Sequence, residues 1–98
     1  MIKYKLIIAE VAVFQLADAC LFYQSREINL GKDLEQEVTD LLKIIEANPF
    51  LFSVKFGTMR EAVVKRFPFV IVYEIIDRSI LIVSVFHTKQ NPKKKTRK

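Results

Sequence analysis

Two glycines, one cysteine, one histidine and no tryptophan in 98 residues exclude several familiar kinds of site at the outset. Gly31 and Gly57 have no second glycine nearby, so no glycine-rich loop can wrap backbone N–H groups around a phosphate. Cys20, being alone, cannot form an internal disulfide and suits a reducing compartment. No apolar run is long enough to span a bilayer. The run at residues 6–9 is too short for the core of an export signal, and Glu10 and Asp18 keep it from being extended. The chain is therefore expected to be cytoplasmic and to work without membrane, metal or cofactor.

The chain is instead rich in apolar bulk. Half of the residues are hydrophobic, which predicts a single folded domain over residues 1–90. The formal charge of +5 is uneven. Lys89, Lys93, Lys94, Lys95, Arg97 and Lys98 supply six of the sixteen cations, leaving ten against eleven acids in residues 1–88. The basic character thus belongs to residues 89–98, whose end, the tail 91–98, is expected to be disordered and to act as a non-specific polyanion element. Specific recognition must come from the body.

Period and punctuation predict the order β-α-α-β-β-β. Residues 2–8 read as a strand entering a core. From Glu10 the period becomes helical, with Phe14, Ala17, Leu21 and Ile28 on one stripe that Val13, Leu16 and Cys20 widen. A break is expected at residues 30–33, with Gly31 in a left-handed turn. A second helix is expected through Leu34, Val38, Leu41, Leu42 and Ile45, ended by Asn48 and Pro49. Residues 50–58 are expected to be a phenylalanine-rich loop. Phe50, Phe52 and Phe56 plug one end of the core or, in the other reading, offer a stacking platform.

Three β-rich runs, 59–66, 69–76 and 79–87, have connections short enough to require antiparallel neighbours. The fold class is α+β, an antiparallel sheet covered on one face by a helical hairpin. On the middle run Phe69, Ile71, Tyr73 and Ile75 share one face, and Val70, Val72 and Glu74 the other. Leu81, Val83, Val85 and His87 are expected to share a face of the last run.

These residues resemble the RelE/ParE superfamily of toxins from bacterial type II toxin–antitoxin modules, also called the plasmid stabilisation family. The resemblance spans most of the chain. It rests on the opening strand, the Leu30-Gly31 step, the Ile-x-x-Asn-Pro ending at 45–49 and Arg60 opening a strand. More specific are Lys-Arg-Phe-Pro-Phe at 65–69, Val-Tyr-Glu-Ile at 72–75, and Val-Phe-His-Thr with Asn-Pro between 85 and 92. It implies neutralisation by a cognate antitoxin within a hetero-oligomer, and one of two activities. ParE-like members inhibit DNA gyrase by binding; RelE-like members cleave messenger RNA on the ribosome without a metal.

Metal-free RNA cleavage needs a base, an acid and cations around the phosphorane. Arg60 and His87 are the candidate catalytic residues: His87 is the only side chain with an unperturbed pKa near neutrality. Lys55, Lys65, Arg66 and Lys89 are the candidate cations for a macromolecular target. On a regular strand Arg60 and Arg66 share a face and Lys65 opposes them. Each also has a plainer role: a solvated edge charge for Arg60, gatekeepers against aggregation for Lys65 and Arg66, a satisfied structural imidazole for His87. Many family members carry an arginine where this chain has Val70, and in RNA-cleaving members it helps to hold the scissile phosphate. Its loss weakens the ribonuclease reading and puts gyrase-type inhibition first, with a non-toxic nucleic-acid-binding module third.

Overall fold

The computed structural model describes residues 2–89; the basic segment 91–98 lies outside the described residues. Seven elements occur in order: β1 (Lys5–Ile8), α1 (Glu10–Arg26), α2 (Ile28–Ala47), β2 (Val54–Phe56), β3 (Met59–Val63), β4 (Phe69–Ile76) and β5 (Ser79–His87). The α+β class and the helical hairpin on a sheet hold, and two features of the sheet differ from expectation. It has five strands, ordered β1-β5-β4-β3-β2, because residues 54–56, inside the expected loop, form a short edge strand beside β3. It is also mixed rather than antiparallel: β1 runs parallel to β5. No tight turn ties these two strands, and a connection through two helices and three strands leaves their relative direction free.

The helical hairpin turns earlier than glycine placement implied. α1 ends at Glu27, whose N–H bonds the Tyr23 carbonyl, and α2 begins at once with Ile28. Gly31 thus lies inside the first turns of α2 and not in a left-handed break. Its role is contact: a Cβ there would stand 2.5 Å from the Cys20 carbonyl oxygen and 3.1 Å from Cβ of Gln24. Hydrogen in place of a side chain lets α2 lie directly on α1. Gly57, by contrast, does need its freedom, with φ of 53° in the β2–β3 turn.

The main core forms between the hairpin and one face of the sheet. Leu34, Val38 and Ile45 of α2 meet Phe69, Ile71 and Tyr73 of β4 and Ile80, Ile82 and Val85 of β5. α1 contributes mainly small residues, Ala12 and Ala19, with Leu16, Cys20 and Tyr23 packed against the same core. Of the apolar stripe read from the sequence, Phe14, Ala17 and Leu21 face solvent, and Ile28 belongs to α2.

The face shared by Phe69, Ile71, Tyr73 and Ile75 is as expected. The grouping on β5 is not. Val72 pairs with Ser84 but Tyr73 pairs with Ile82, so Val83 is an extra residue, a β-bulge. The bulge reverses the alternation: Val83 joins Val70, Val72 and Phe86 in a small cluster on the far face, whereas Val85 turns to the helices. Gln15 of α1 services the irregularity. Its Oε1 accepts the Val85 N–H at 2.8 Å and the Ser84 hydroxyl at 3.0 Å.

Candidate interaction site

The candidate side chains fall at two ends of the sheet. Arg60 pairs across the strands with Tyr73, and His87 pairs with Phe69. Tyr73 and Phe69 are four residues apart on β4, roughly 13 Å, and β3 and β5 are two strand spacings apart, roughly 10 Å. Arg60 and His87 are thus on the order of 16 Å apart, by the same spacings. With Arg60 bonded to the Phe52 carbonyl and lying over the Phe50 ring, the two side chains do not converge on one phosphodiester.

At the Arg60 end the chain after α2 is pinned by two side chains. Arg60 donates to the Phe52 carbonyl at 2.6 Å and lies over the Phe50 ring, 5.2 Å from its centroid. Tyr73, fully buried, donates its hydroxyl to the Pro49 carbonyl at 2.7 Å. Tyr4 meets the Phe50 ring edge-on at 6.1 Å. Phe52 packs against the main core and Phe56 joins the far-face cluster, while Phe50 and Leu51 remain exposed. Glu74, on the opposite face from Tyr73, accepts the Thr58 hydroxyl. Lys55 is exposed on β2.

Burial pushes the Tyr73 phenol above its ordinary pKa, and the Arg60 guanidinium pulls partly the other way. The unfolded chain ionises this phenol near pH 10, so native stability falls as pH rises through and beyond that value. Tyr73→Phe should show two effects in urea titrations. At pH 8 it should lose about 1–2 kcal/mol, since it leaves the Pro49 carbonyl unpaired in the core. Between pH 9 and 11 its stability should decline less steeply than that of the wild type. A variant with unaltered stability at both pH values would show the bond to be dispensable.

At the other end Lys65, Arg66, His87 and Lys89 gather around the β3–β4 turn. Strand β3 stops at Val63, so Lys65 and Arg66 stand outside the strand parity expected for them. Arg66 is committed to α2, with Nη2 3.4 Å from Asp33 and Nη1 3.2 Å from Glu37, whose carboxylate also accepts the Arg66 backbone N–H at 3.3 Å. Such exposed pairs contribute about 0–1 kcal/mol; here they tie the turn to the hairpin. His87 is half-buried, its ring edge-on to Phe69 at 4.9 Å and its Nδ1 accepting the Lys89 N–H at 3.2 Å. Lys65 and Lys89 are exposed. Val70, where an arginine would mark many relatives, is buried with Phe86 on the far face.

The most open apolar surface lies elsewhere, on the outward side of α1. Phe14 and Leu21 are 68 % and 65 % exposed, with Val11 and Phe22 beside them. Spacings of three, seven and eight residues put these four on one face. The clue in the sequence was that α1 is apolar over more of its circumference than one sheet can cover. A helix apolar on two sides has two sets of neighbours.

A helical hairpin laid on one face of a mixed sheet of this order is the architecture of RelE/ParE-type toxins. The sequence matches the family described as the ParE toxin of type II toxin–antitoxin system, parDE, over residues 7–92. The chain belongs to that family. Among solved structures it is similar to a chain of the chromosomal ParDE toxin–antitoxin system from P. aeruginosa, with a TM-score of 0.73 and 18% identity, covering 87% of this chain and 96% of that one. No individually curated protein matches it. Among the described residues no helix is long and apolar enough to cross a membrane.

Proposed function

We propose that this protein inhibits growth by binding a protein target in the cytoplasm, DNA gyrase in the first instance, and that a cognate antitoxin neutralises it by covering the outward face of α1. The observation that carries the reading is the exposed row Val11, Phe14, Leu21 and Phe22 on a helix already packed against its own core. An apolar helix face of this kind fits an amphipathic segment of a partner.

The candidate groups for RNA cleavage give that chemistry little support. Arg60 is spent on the Phe52 carbonyl and the Phe50 ring, His87 lies at the far end of the sheet, and Arg66 is paired with two carboxylates. A binding toxin needs no such convergence. The family match points the same way, to ParE toxins.

Induced expression should slow growth, and the product of the adjacent reading frame should restore it and co-purify with the toxin. Purified toxin should inhibit gyrase supercoiling and leave messenger RNA intact. Messenger fragments ending in 2′,3′-cyclic phosphate, lost in both Arg60→Ala and His87→Ala, would instead establish the nuclease. Normal growth with no binding neighbour would overturn the toxin reading.

A further inference from the structure

One residue interrupts the exposed face of α1. Asp18 stands amid Val11, Phe14, Leu21 and Phe22, which precede it by seven and four residues and follow it by three and four. These are its neighbours on the helix surface. The positions three and four residues away are Phe14, Gln15, Leu21 and Phe22, so no cation on its own helix can reach it. Among the described residues the Asp18 carboxylate has no hydrogen-bond partner and no ion pair. Glu10 is the other charge on the helix before Arg26, and Arg26 is occupied by the Phe22 ring, 4.8 Å from its centroid. The face is therefore apolar with a solitary negative charge in its middle.

We infer that Asp18 sets partner specificity: the segment that covers α1 must bring an arginine or lysine to this carboxylate. The inference rests on the antitoxin reading above. Covering the face removes water from Asp18, and a buried carboxylate without a counter-charge is strongly disfavoured, whereas a forked guanidinium meets it with two hydrogen bonds. The same residue discriminates against a second copy of this chain. Asp18 is the midpoint of α1 (Glu10–Arg26). A twofold pairing of antiparallel α1 helices centred there would set Asp18 against its own duplicate, and like charges in a desolvated interface repel. A cationic amphipathic segment satisfies both the apolar ring and the charge.

Calorimetric titration of the purified toxin with the product of the adjacent reading frame tests this. Asp18→Lys should weaken binding at least a hundredfold and Asp18→Asn about tenfold, and the Asn variant should lose part of the wild-type salt dependence. Reversing a single arginine or lysine of the antitoxin's toxin-binding segment to glutamate should recover affinity for Asp18→Lys, and for no variant altered at Phe14. Wild-type toxin alone should sediment as a species that does not bury α1. Unchanged affinity of Asp18→Lys, or failure of every single reversal to recover it, overturns the inference. If Phe14→Ala weakens binding while Asp18→Lys does not, the docking face stands and Asp18 has no part in it. If the wild type does not bind the neighbour's product, the antitoxin reading falls, and this inference with it.

Discussion

Replacing Phe14 and Leu21 together by aspartate is expected to abolish capture by the antitoxin while the toxin stays folded. Both side chains stand more than half exposed on the outward side of α1, so neither contributes much to the core. The folded monomer loses only helix propensity, about 0.5 kcal/mol per site, and its melting temperature should fall by several degrees at most. In the proposed complex the same two positions would lie within the covered apolar face. There the change removes two large anchors and buries two carboxylates beside Asp18. A loss of at least a thousandfold in affinity is expected, about 4 kcal/mol. Co-purification from cells expressing both proteins, with a thermal melt of the toxin alone, checks it. Undiminished capture would show that the antitoxin docks on another surface.

The second large effect concerns stability. Gly31→Val should destabilise the domain by about 3 kcal/mol, lowering the melting temperature by roughly 12–24 °C. Already the first added carbon would lie 2.5 Å from the Cys20 carbonyl oxygen. That neighbour is backbone in the middle of a helix and cannot swing aside, so the helices must separate. Separation would loosen Leu34 and Val38, both fully buried, from the core beneath. Gly31→Ala gains up to about 1 kcal/mol of helix propensity, yet it meets the same oxygen and should still be net destabilising. Calorimetry of both variants decides it. An alanine variant more stable than the wild type would mean that the α1–α2 contact relaxes easily.

Several elements were legible because local chemistry sets them. The period of Leu34, Val38, Leu41, Leu42 and Ile45 marked α2, and Asn48-Pro49 marked its end. The limits of β4 and β5 were legible from the turn residues around Asp77-Arg78-Ser79; in the structure the turn is the two residues Asp77-Arg78, and Asp77 takes a positive φ of 54°. Other features had no local signature. The bulge at Val83 depends on how β5 fits β4 and on Gln15, which is 70 positions from Val85 in the chain. Gly31 looked like a turn because its contact partner is on another helix.

The candidate site divided in the same manner. Residue type singled out Arg60, Lys65, Arg66 and His87 as groups able to bear charge chemistry, but type carries no distance. Only the register of β3, β4 and β5 shows that Arg60 and His87 lie at opposite ends. Only packing shows that Arg66 answers Asp33 and Glu37, and that Arg60 holds the loop after α2.

The amino-acid order by itself determined both helices, four of the five strands, the two-layer class and the family, since each depends on short-range period, turn chemistry and motif spacing. Tertiary structure alone decided the parallel placement of β1 against β5, the side of α1 left open, and the isolation of Asp18 within it. Those outcomes depend on which surfaces meet across long stretches of chain, and an apolar helix with two similar sides does not encode locally which of them will be buried.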